Sequence, residues 1–410
     1  MRLEPDLRVK GFLMNVRAAS RSMLPAAVCA CALALAVQAP AQTTAAAQAP
    51  RDFVVAGYVF PGNAILRADQ VDARALNRIM YAFAIIKKGR MVEGANAEEQ
   101  NIAAQNLAAL ASLRGRNPSL QILVSVGGWS GSAGFSDAAL TAQSRSVFVA
   151  SAVAFIRRYD LDGIDVDWEY PGMAGASRRY RAEDKSNLTL LLKDMREALD
   201  REEKPAGRKL LLTIATGNSE EYLQHTEMNR AQRYVDTVNL MTYDYALASE
   251  DAVTGHSAPL FDEPAAPDRG SVDASVRAFE RAGVPASKLL LGVAFYGHLW
   301  GKVSGQNHGL FQPGKPVPGD FASFSDIEHN LLGQGFTRYW DAIARVPYLY
   351  SAERQVFVSY EDAESLALKC GFVREQNLAG VMFWEYSQDP SGQLLETIDR
   401  TLREPKSRPR

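Results

Sequence analysis

Residues 162–171 read Asp-Gly-Ile-Asp-Val-Asp-Trp-Glu-Tyr-Pro. Because side chains point alternately to the two faces of a strand, Asp165, Asp167 and Glu169 share one face. The apolar residues between them share the other face, which is the one that packs on helices in a parallel barrel. The three acids are therefore expected to point into the barrel and to rise towards its mouth.

This column of acids has a chemical consequence. Like charges that lie close together and partly desolvated cannot all be ionised, so at least one acid is expected to hold a proton near neutral pH. Glu169, at the mouth, is best placed to act as a general acid on a substrate. Asp167 can share a proton with either neighbour, and Asp165, the deepest, can serve as its counter-charge.

The same stretch has other interpretations. Exposed acids on an edge strand are common, but the apolar flanks indicate a central strand. Oxygen ligands can hold a hard metal ion, although an EF-hand loop needs Gly at its sixth position, where Tyr170 stands. A nucleotide-sugar transferase can carry Asp-x-Asp, but no Gly-rich phosphate-binding element accompanies it here.

The rest of the chain alternates short apolar runs with amphipathic ones. The runs with the composition of buried strands are 53–60, 79–86, 120–126, 163–169, 210–216, 234–243, 288–295 and 378–384. The helical patterns between and after them are Glu98–Leu113, Ser144–Tyr159, Glu183–Arg201, Ser271–Ala282, Asp362–Cys370 and Gln393–Leu402. This alternation predicts βαβ units, and eight strands favour a closed (β/α)₈ TIM barrel over residues 52–405. An open sheet is the alternative, but no Gly-x-Gly-x-x-Gly follows the first strand.

One connection lacks the strand–helix alternation. Residues 298–357 are rich in Gly, Pro and aromatic residues and show no clear helical period. A connection of this length in a compact domain usually has its own structure and a function. We predict a small α+β insertion subdomain after strand seven, which walls one side of a cleft at the active face of the barrel.

Composition excludes several classes of protein. The chain has 45 Lys and Arg against 47 Asp and Glu, so it carries no chain-wide basic surface for nucleic acid or anionic membrane. Its five histidines and three cysteines show neither His-x-x-x-His nor Cys-x-x-Cys spacing. We therefore predict no metal, no cofactor and no nucleic-acid partner.

The N-terminus is predicted to be a targeting segment. A basic region is followed by the uncharged run 23–41, which ends in the small-x-small sequence Ala39-Pro40-Ala41. This pattern is typical of a secretory signal peptide over residues 1–41, with Met1 or Met14 as the start. A lipid on one of the two cysteines of the run is the alternative.

Removal of this signal sets further expectations. Residues 42–51 become a disordered linker, and Cys370 becomes a lone cysteine that cannot form an intramolecular disulfide. The protein is then expected to be secreted or periplasmic, to leave the membrane, and to be a monomer.

The acid pattern Asp162-Gly-Ile-Asp165-Val-Asp167-Trp-Glu169 resembles the DxxDxDxE signature of family 18 glycoside hydrolases, the chitinase-like enzymes. Three other segments resemble elements of that family in the same order along the chain. They are Ser125-Val-Gly127-Gly128-Trp129, Met241-Thr-Tyr243-Asp244 and Gly380-Val-Met382-Phe-Trp384-Glu385. The resemblance runs from about Phe53 to the C-terminus and includes the insertion.

The resemblance implies a retaining, substrate-assisted hydrolysis of β-1,4-linked N-acetylglucosamine in chitin or chitooligosaccharides. In such enzymes the N-acetyl oxygen of the substrate attacks the anomeric carbon, and Glu169 would be the acid and then the base. Asp167 would orient the acetamido group and stabilise the oxazolinium nitrogen. Asp165 would exchange a proton with Asp167, and Tyr243 would hydrogen-bond the acetamido oxygen.

The resemblance also implies a set of substrate-binding residues, since sugars stack their CH faces on aromatic rings and pair their hydroxyls with polar groups. The set is Trp384, Tyr58, Phe83, Ser125, Gly128, Trp129, Tyr170, Met241, Asp244 and Tyr296. Tyr58 and Ser125 would act by hydrogen-bonding Asp165. For Phe83 and Tyr296, ordinary core packing is the alternative. The chain departs from the family pattern at His298, where an Arg is common.

Three other functions fit the same site. An endo-β-N-acetylglucosaminidase acting on N-glycans and a peptidoglycan hydrolase would differ only in their loops. A non-catalytic glycan-binding lectin on the same barrel typically lacks the acid at the position of Glu169, which this chain keeps.

Overall fold

The structure is a computed structural model that describes residues 53–266 and 270–403. The predicted signal peptide (1–41), the predicted linker (42–51) and the outermost residues of the predicted barrel range lie outside the described residues. The signal and the linker therefore stay predictions.

Eight parallel strands close into a barrel. In chain order the described strands are β1 (Val54–Val59), β2 (Arg78–Lys87), β3 (Arg90–Val92), β4 (Gln121–Gly127), β5 (Gly163–Asp167), β6 (Leu211–Thr216), β7 (Thr237–Leu240), β8 (Leu289–Ala294), β9 (Tyr296–Gly301), β10 (Lys315–Ser323), β11 (Thr337–Asp341), β12 (Val346–Ser351), β13 (Val356–Ser359) and β14 (Gly380–Trp384). The barrel order is β1-β2-β4-β5-β6-β7-β8-β14, and β14 pairs with β1 to close it. Each of the eight predicted runs supplies one barrel strand, so the predicted TIM barrel is confirmed.

Helices surround the barrel. They are α1 (Ala97–Ser112), α2 (Phe135–Ala138), α3 (Ala142–Tyr159), α4 (Asp184–Ala206), α5 (Glu220–Gln224), α6 (Met228–Ala231), α7 (Val272–Arg281), α8 (Phe324–Asp326), α9 (Ala363–Glu375) and α10 (Gln393–Arg403). Several begin at a side chain that accepts a backbone N–H of the first turn, which is the usual role of an N-cap. These caps are Asn96, Thr141, Ser271 and Asp362.

Between β1 and β2 the described chain makes only a 3₁₀ turn, Ala68–Gln70, in place of a helix. None of the described helices combines the length and the apolar character that a membrane crossing requires.

Strand β5 presents its two faces as the alternation predicts. Ile164, Val166 and Trp168 belong to the large apolar layer between the strands and the helices. Trp168 stacks on Phe135 with 5.2 Å between ring centroids. Apolar packing on one face leaves the acids only the interior of the barrel, where Asp165 is fully buried.

The insertion forms a second sheet after β8, the seventh strand of the barrel. Its five strands are all antiparallel, in the order β10-β9-β13-β12-β11, and α8 follows β10. The sheet runs from Tyr296 to Ser359, two residues beyond the predicted range at each end. Only Phe295 separates β8 from β9, so the second sheet starts directly at the mouth of the barrel.

Candidate active site

A cleft of about 940 Å³ opens at the carboxyl ends of the barrel strands. The predicted site residues that line it are Glu169, Asp167, Tyr243, Trp384, Tyr58, Phe83, Trp129, Tyr170, Met241, Asp244 and Tyr296. Because these residues come from the ends of different strands, only closure of the barrel brings them together. The insertion contributes Tyr296, and so it forms part of the wall.

Asp165 lies behind the cleft at the centre of a hydrogen-bond network. The hydroxyls of Tyr58 and Ser125 donate to its Oδ2 at 2.9 and 2.8 Å. The Thr213 hydroxyl and the Asn239 amide donate to its Oδ1 at 2.5 and 3.0 Å. Burial raises the pKa of Asp165, whereas the hydroxyl donors pull it back. Four donors around two oxygens match an ionised carboxylate, which only accepts.

Sequence reasoning missed Thr213 and Asn239. Both are polar residues inside apolar strand runs, and their positions on β6 and β7 face the interior of the barrel. The same alternation argument that was applied to β5 finds them. Beyond Asn239, the Thr237 hydroxyl accepts from the guanidinium of Arg78 at 3.0 Å, and the charge of Arg78 also lowers the pKa of Asp165.

Asp167 has a different environment. It is buried, and its Oδ1 has no hydrogen-bond partner in the described part of the chain. Burial raises its pKa well above the usual range, and the charges of Glu169 and Asp165 add to this shift. Burial and the two neighbouring acids therefore favour the protonated form of Asp167.

Glu169 lies at the mouth of the column. Burial raises its pKa to about 7, and the charge of Asp244 adds to the shift. Its backbone N–H donates to the Ser132 hydroxyl at 2.9 Å, which ties the main chain to the loop after β4. A carboxyl group with this pKa can give up a proton and take it back near neutral pH.

Aromatic rings form the floor of the cleft. Phe83 stacks on Trp384 with centroids 5.5 Å apart and planes inclined by 19°. Tyr58 and Phe60 lie 5.6 and 5.7 Å from Trp384. Phe60 is 45% exposed and was missed by sequence reasoning, although it follows the first strand directly. Its exposure beside Trp384 extends the apolar floor.

Trp129 and Tyr170 stand at another part of the cleft, with ring centroids 6.4 Å apart. Trp129 is 51% exposed and lines the cleft. Such a ring is available to stack on a ligand.

Besides Asp165, two predicted residues do not line the cleft. Ser125 is buried beneath it and donates to Asp165. Gly128 has a positive φ of 75°, and a Cβ at this position would lie 2.6 Å from the Phe83 ring. The glycine therefore lets Phe83 approach the backbone. Both residues act from behind the cleft surface.

Asn218 is a further residue that sequence reasoning missed. It lines the cleft, and its amide donates to the carbonyls of Met241 and Tyr243 at 3.0 and 2.8 Å. It thereby fixes the chain that carries Tyr243 and Asp244. A single Asn in a loop gives no signal in the sequence.

Within residues 53–266 and 270–403, no group of three or more His, Cys, Asp or Glu side chains could hold a metal ion.

Comparison with known proteins agrees with this geometry. The family model described as "Glycosyl hydrolases family 18" matches residues 54–389. Chitinase A1 of Niallia circulans is 44% identical over 73% of this chain, and the match spans only 45% of that protein's length. Chitinase B of Serratia marcescens is 32% identical over 80% of this chain and 76% of that protein.

Solved structures agree as well. A glycoside hydrolase family 18 N-acetylglucosaminidase from Paenibacillus barengoltzii has a TM-score of 0.77 and 42% identity, over 85% of this chain and 100% of that one. These matches confirm the resemblance that the acid pattern indicated. The chain therefore belongs to the family 18 glycosyl hydrolases, as a glycoside hydrolase of the chitinase type.

Proposed function

We propose that the protein hydrolyses β-1,4 links next to N-acetylglucosamine in chitin or its oligomers, with retention and with help from the acetamido group of the substrate. The observation that carries this proposal is the column of Asp167 and Glu169 at the wall of the cleft, where burial raises the pKa of Glu169 to about 7 and raises that of Asp167 as well. The names of the relatives, chitinases A1 and B, support chitin as the polymer.

In the first step the acetamido oxygen attacks the anomeric carbon while Glu169 gives its proton to the glycosidic oxygen. The bond between the anomeric carbon and that oxygen breaks, and the substrate becomes an oxazolinium ion. The free oxygen of Asp167 accepts a hydrogen bond from the acetamido nitrogen, where positive charge develops.

In the second step water attacks the anomeric carbon and gives a proton to Glu169, which now acts as a base. The oxazolinium ring opens, and the acetamido group is restored. Asp165 exchanges a proton with Asp167 during the cycle, while Tyr243 holds the acetamido oxygen and Asp244 a sugar hydroxyl. The floor of Trp384 and Phe83 supports the sugar ring from below.

The test is to incubate the protein with a soluble N-acetylglucosamine hexamer in ¹⁸O water and to follow the products by mass spectrometry. We expect shorter oligomers with the label at the new reducing end, and a loss of at least about 10³-fold in kcat for Glu169→Gln. Glu197→Gln is the matched control, because Glu197 lies on α4 with its side chain 53% exposed. Equal turnover by wild type and Glu169→Gln would contradict the assignment of the acid.

One relative favours a second candidate. The similar structure from Paenibacillus barengoltzii is an N-acetylglucosaminidase, so release of monosaccharide from a chain end is the alternative to internal cleavage. A hexamer digest that yields the monomer from the start indicates this activity, whereas early dimers and trimers indicate internal cleavage. If the hexamer survives, high-mannose N-glycans, peptidoglycan and simple lectin binding are the next tests.

We also propose that the protein is exported by its N-terminal signal and works as a monomer. The motif at Ala39-Pro40-Ala41 supports cleavage before Gln42. N-terminal sequencing of the exported protein should begin at Gln42, and light scattering should give the mass of one chain. A cell-bound protein that retains residues 1–41 would contradict export.

A further inference from the structure

A buried arginine lies at the amino end of the barrel, on the far side from the cleft. Arg78 is the first residue of β2 and shares a face of that strand with Met80, which packs in the barrel interior. Arg78 is 4% exposed. Its guanidinium donates to the side-chain oxygen of Gln121 at 3.1 and 3.2 Å and to the Thr237 hydroxyl at 3.0 Å. Because these partners are neutral, the buried positive charge needs a balancing charge elsewhere in the barrel.

A chain of three hydrogen bonds leads from Arg78 to the column of acids. Nη1 of Arg78 lies 3.0 Å from Oγ1 of Thr237, and this oxygen lies 3.2 Å from Oδ1 of Asn239. Nδ2 of Asn239 lies 3.0 Å from Oδ1 of Asp165. Each of these four residues is at most 6% exposed, so bulk water does not compete for the bonds between them.

The arginine sets the direction of every hydrogen bond in this chain. A guanidinium has only donors, so the Thr237 hydroxyl accepts from it and gives its single hydrogen to Asn239. The side-chain oxygen of Asn239 accepts that hydrogen, which turns the NH₂ group of Asn239 towards Asp165. The same NH₂ group lies 3.4 Å from the hydroxyl oxygen of Tyr58, whose hydrogen goes to Asp165. An amide of the opposite orientation would present its oxygen to Asp165, which fits only a protonated carboxyl group.

We propose that Arg78 is a positioning residue for Asp165, which orients the Asn239 amide through Thr237 and so keeps Asp165 in the resting enzyme as a carboxylate that only accepts hydrogen bonds. The inference rests on the proposed exchange of a proton between Asp165 and Asp167. An Asp165 that only accepts leaves that proton on the side of Asp167. Arg78 thus acts on the site from the opposite end of the barrel, without a contact to the substrate.

The charge of Arg78 acts in the same direction as its hydrogen bonds. Burial lowers the pKa of Arg78 to about 10, so the guanidinium is cationic at neutral pH. Its charge lowers the pKa of Asp165, which burial raises. Arg78 and Asp165 therefore compensate each other as opposite charges inside the barrel, with two neutral side chains between them.

Three titratable groups act on this pair from its surroundings. They are Tyr58 on β1, Asp167 on β5 and Asp236, which precedes β7. Burial and the charge of Asp165 raise the pKa of Tyr58 well above its usual range, so Tyr58 stays a neutral donor. Asp236 forms ion pairs with Arg196 and Lys209. Asp167 is then the acid with which Asp165 exchanges a proton.

The first test breaks the chain of hydrogen bonds in its middle. Thr237→Val keeps the volume of the side chain, but the Asn239 amide loses the donor that orients it. We expect kcat on the N-acetylglucosamine hexamer to fall about tenfold with little change in KM. Thr237→Ser keeps the hydroxyl and should restore most of kcat. Thr397→Val is the matched control, because Thr397 is 5% exposed and its hydroxyl donates to a carbonyl within α10 at 2.9 Å, outside the barrel.

The second test changes the charge. On the acid side of the pH profile, the pair of Asp165 and Asp167 takes up a second proton. Without the cation, Asp165 takes up this proton at higher pH. The acid limb of kcat/KM should therefore move to higher pH by roughly half a unit in Arg78→Met. Arg78→Lys keeps the charge and should leave the limb in place.

Equal kcat for Thr237→Val and wild type would overturn the proposal, and so would a loss of kcat that Thr237→Ser does not restore. An acid limb that stays in place in Arg78→Met contradicts the role of the charge. If Arg78→Met does not fold, the Thr237 variants decide, because they keep the buried cation. A failure of the proposed function is a separate result, since wild type itself then leaves the hexamer intact.

Discussion

At the scale of single residues, burial sets the chemistry of the site. Asp165 and Asp167 lie in one strand two residues apart, yet their environments differ. Asp165 receives four hydrogen bonds, whereas Asp167 has a bare oxygen and a pKa far above its usual range. The spacing in the sequence predicts that the acids lie close together. Which of them receives hydrogen bonds depends on the side chains of the neighbouring strands.

The burial of Glu169 should lower the free energy of unfolding at and above neutral pH. Glu169 has a pKa of about 7 in the folded chain against an ordinary value of 4.5, so the folded state binds its proton more tightly than the unfolded state. Below the ordinary value both states are protonated and there is no cost. As the pH rises from there to about 7 the unfolded state ionises first, and stability falls by up to about 3 kcal/mol.

Glu169→Gln removes this titration. We therefore expect the variant to be more stable than wild type by about 1–3 kcal/mol at about pH 8, and to lose this advantage near pH 4. Urea unfolding of both proteins at the two pH values measures the difference. The control Glu197→Gln should have the same stability as wild type at both pH values. If the difference in stability between Glu169→Gln and wild type is the same at both pH values, the pKa of Glu169 is not raised in the folded protein.

At the scale of elements, the alternation of the acids was predictable because β5 and the two residues that follow it contain the whole pattern. The contributions of β6 and β7 were harder to predict, because each supplies a single polar residue, Thr213 or Asn239, to a partner from another strand. The contact of β9 with Asp244 was not predictable, although Tyr296 was expected in the cleft. Tyr296 and His298 of this strand meet Asp244 only because the second sheet begins one residue after a barrel strand.

A buried ion pair fastens the end of the insertion to the barrel. Lys369 on α9 contacts Glu361, which follows β13, and both side chains are almost fully buried. The ammonium also donates to the carbonyl of Ala258 at 2.7 Å, and the Ser365 hydroxyl donates to Glu361 at 2.9 Å. The pair thus joins three segments at the place where the chain leaves the second sheet.

Replacing one residue of this ion pair should destabilise the fold more than replacing both. Lys369→Met leaves a buried carboxylate without its counter-charge, and we expect a loss of about 3–5 kcal/mol in the free energy of unfolding. The double variant Lys369→Met/Glu361→Gln removes that charge and should recover a large part of the loss. Denaturant unfolding of the single and double variants measures the coupling. A double variant that is no more stable than Lys369→Met would contradict this account.

At the scale of the whole molecule, the core holds the barrel together without covalent links. Cys370 is the free cysteine of the described residues, and burial raises the pKa of its thiol to about 12. An inert, unpaired thiol of this kind is expected inside an apolar layer. The stability of the catalytic unit should then be independent of redox conditions.

The effect of redox conditions on stability can be measured on the exported chain. Its midpoint of thermal unfolding should be the same with and without a thiol reductant. A thiol reagent should label Cys370 only after denaturation. A lower midpoint in the reductant would reveal a disulfide, for example between two chains, and would contradict both the lone cysteine and the monomer.

The sequence by itself determined the barrel, the insertion and the column of acids, because each of these is written in a local pattern. Period-two acids, apolar runs of strand length and a break in the alternation depend only on neighbours along the chain. The tertiary structure decided which groups donate hydrogen bonds to each acid, which rings are exposed, and which residues of the insertion contact Asp244. These properties depend on distances between segments far apart in sequence, and no local pattern encodes such distances until the barrel closes.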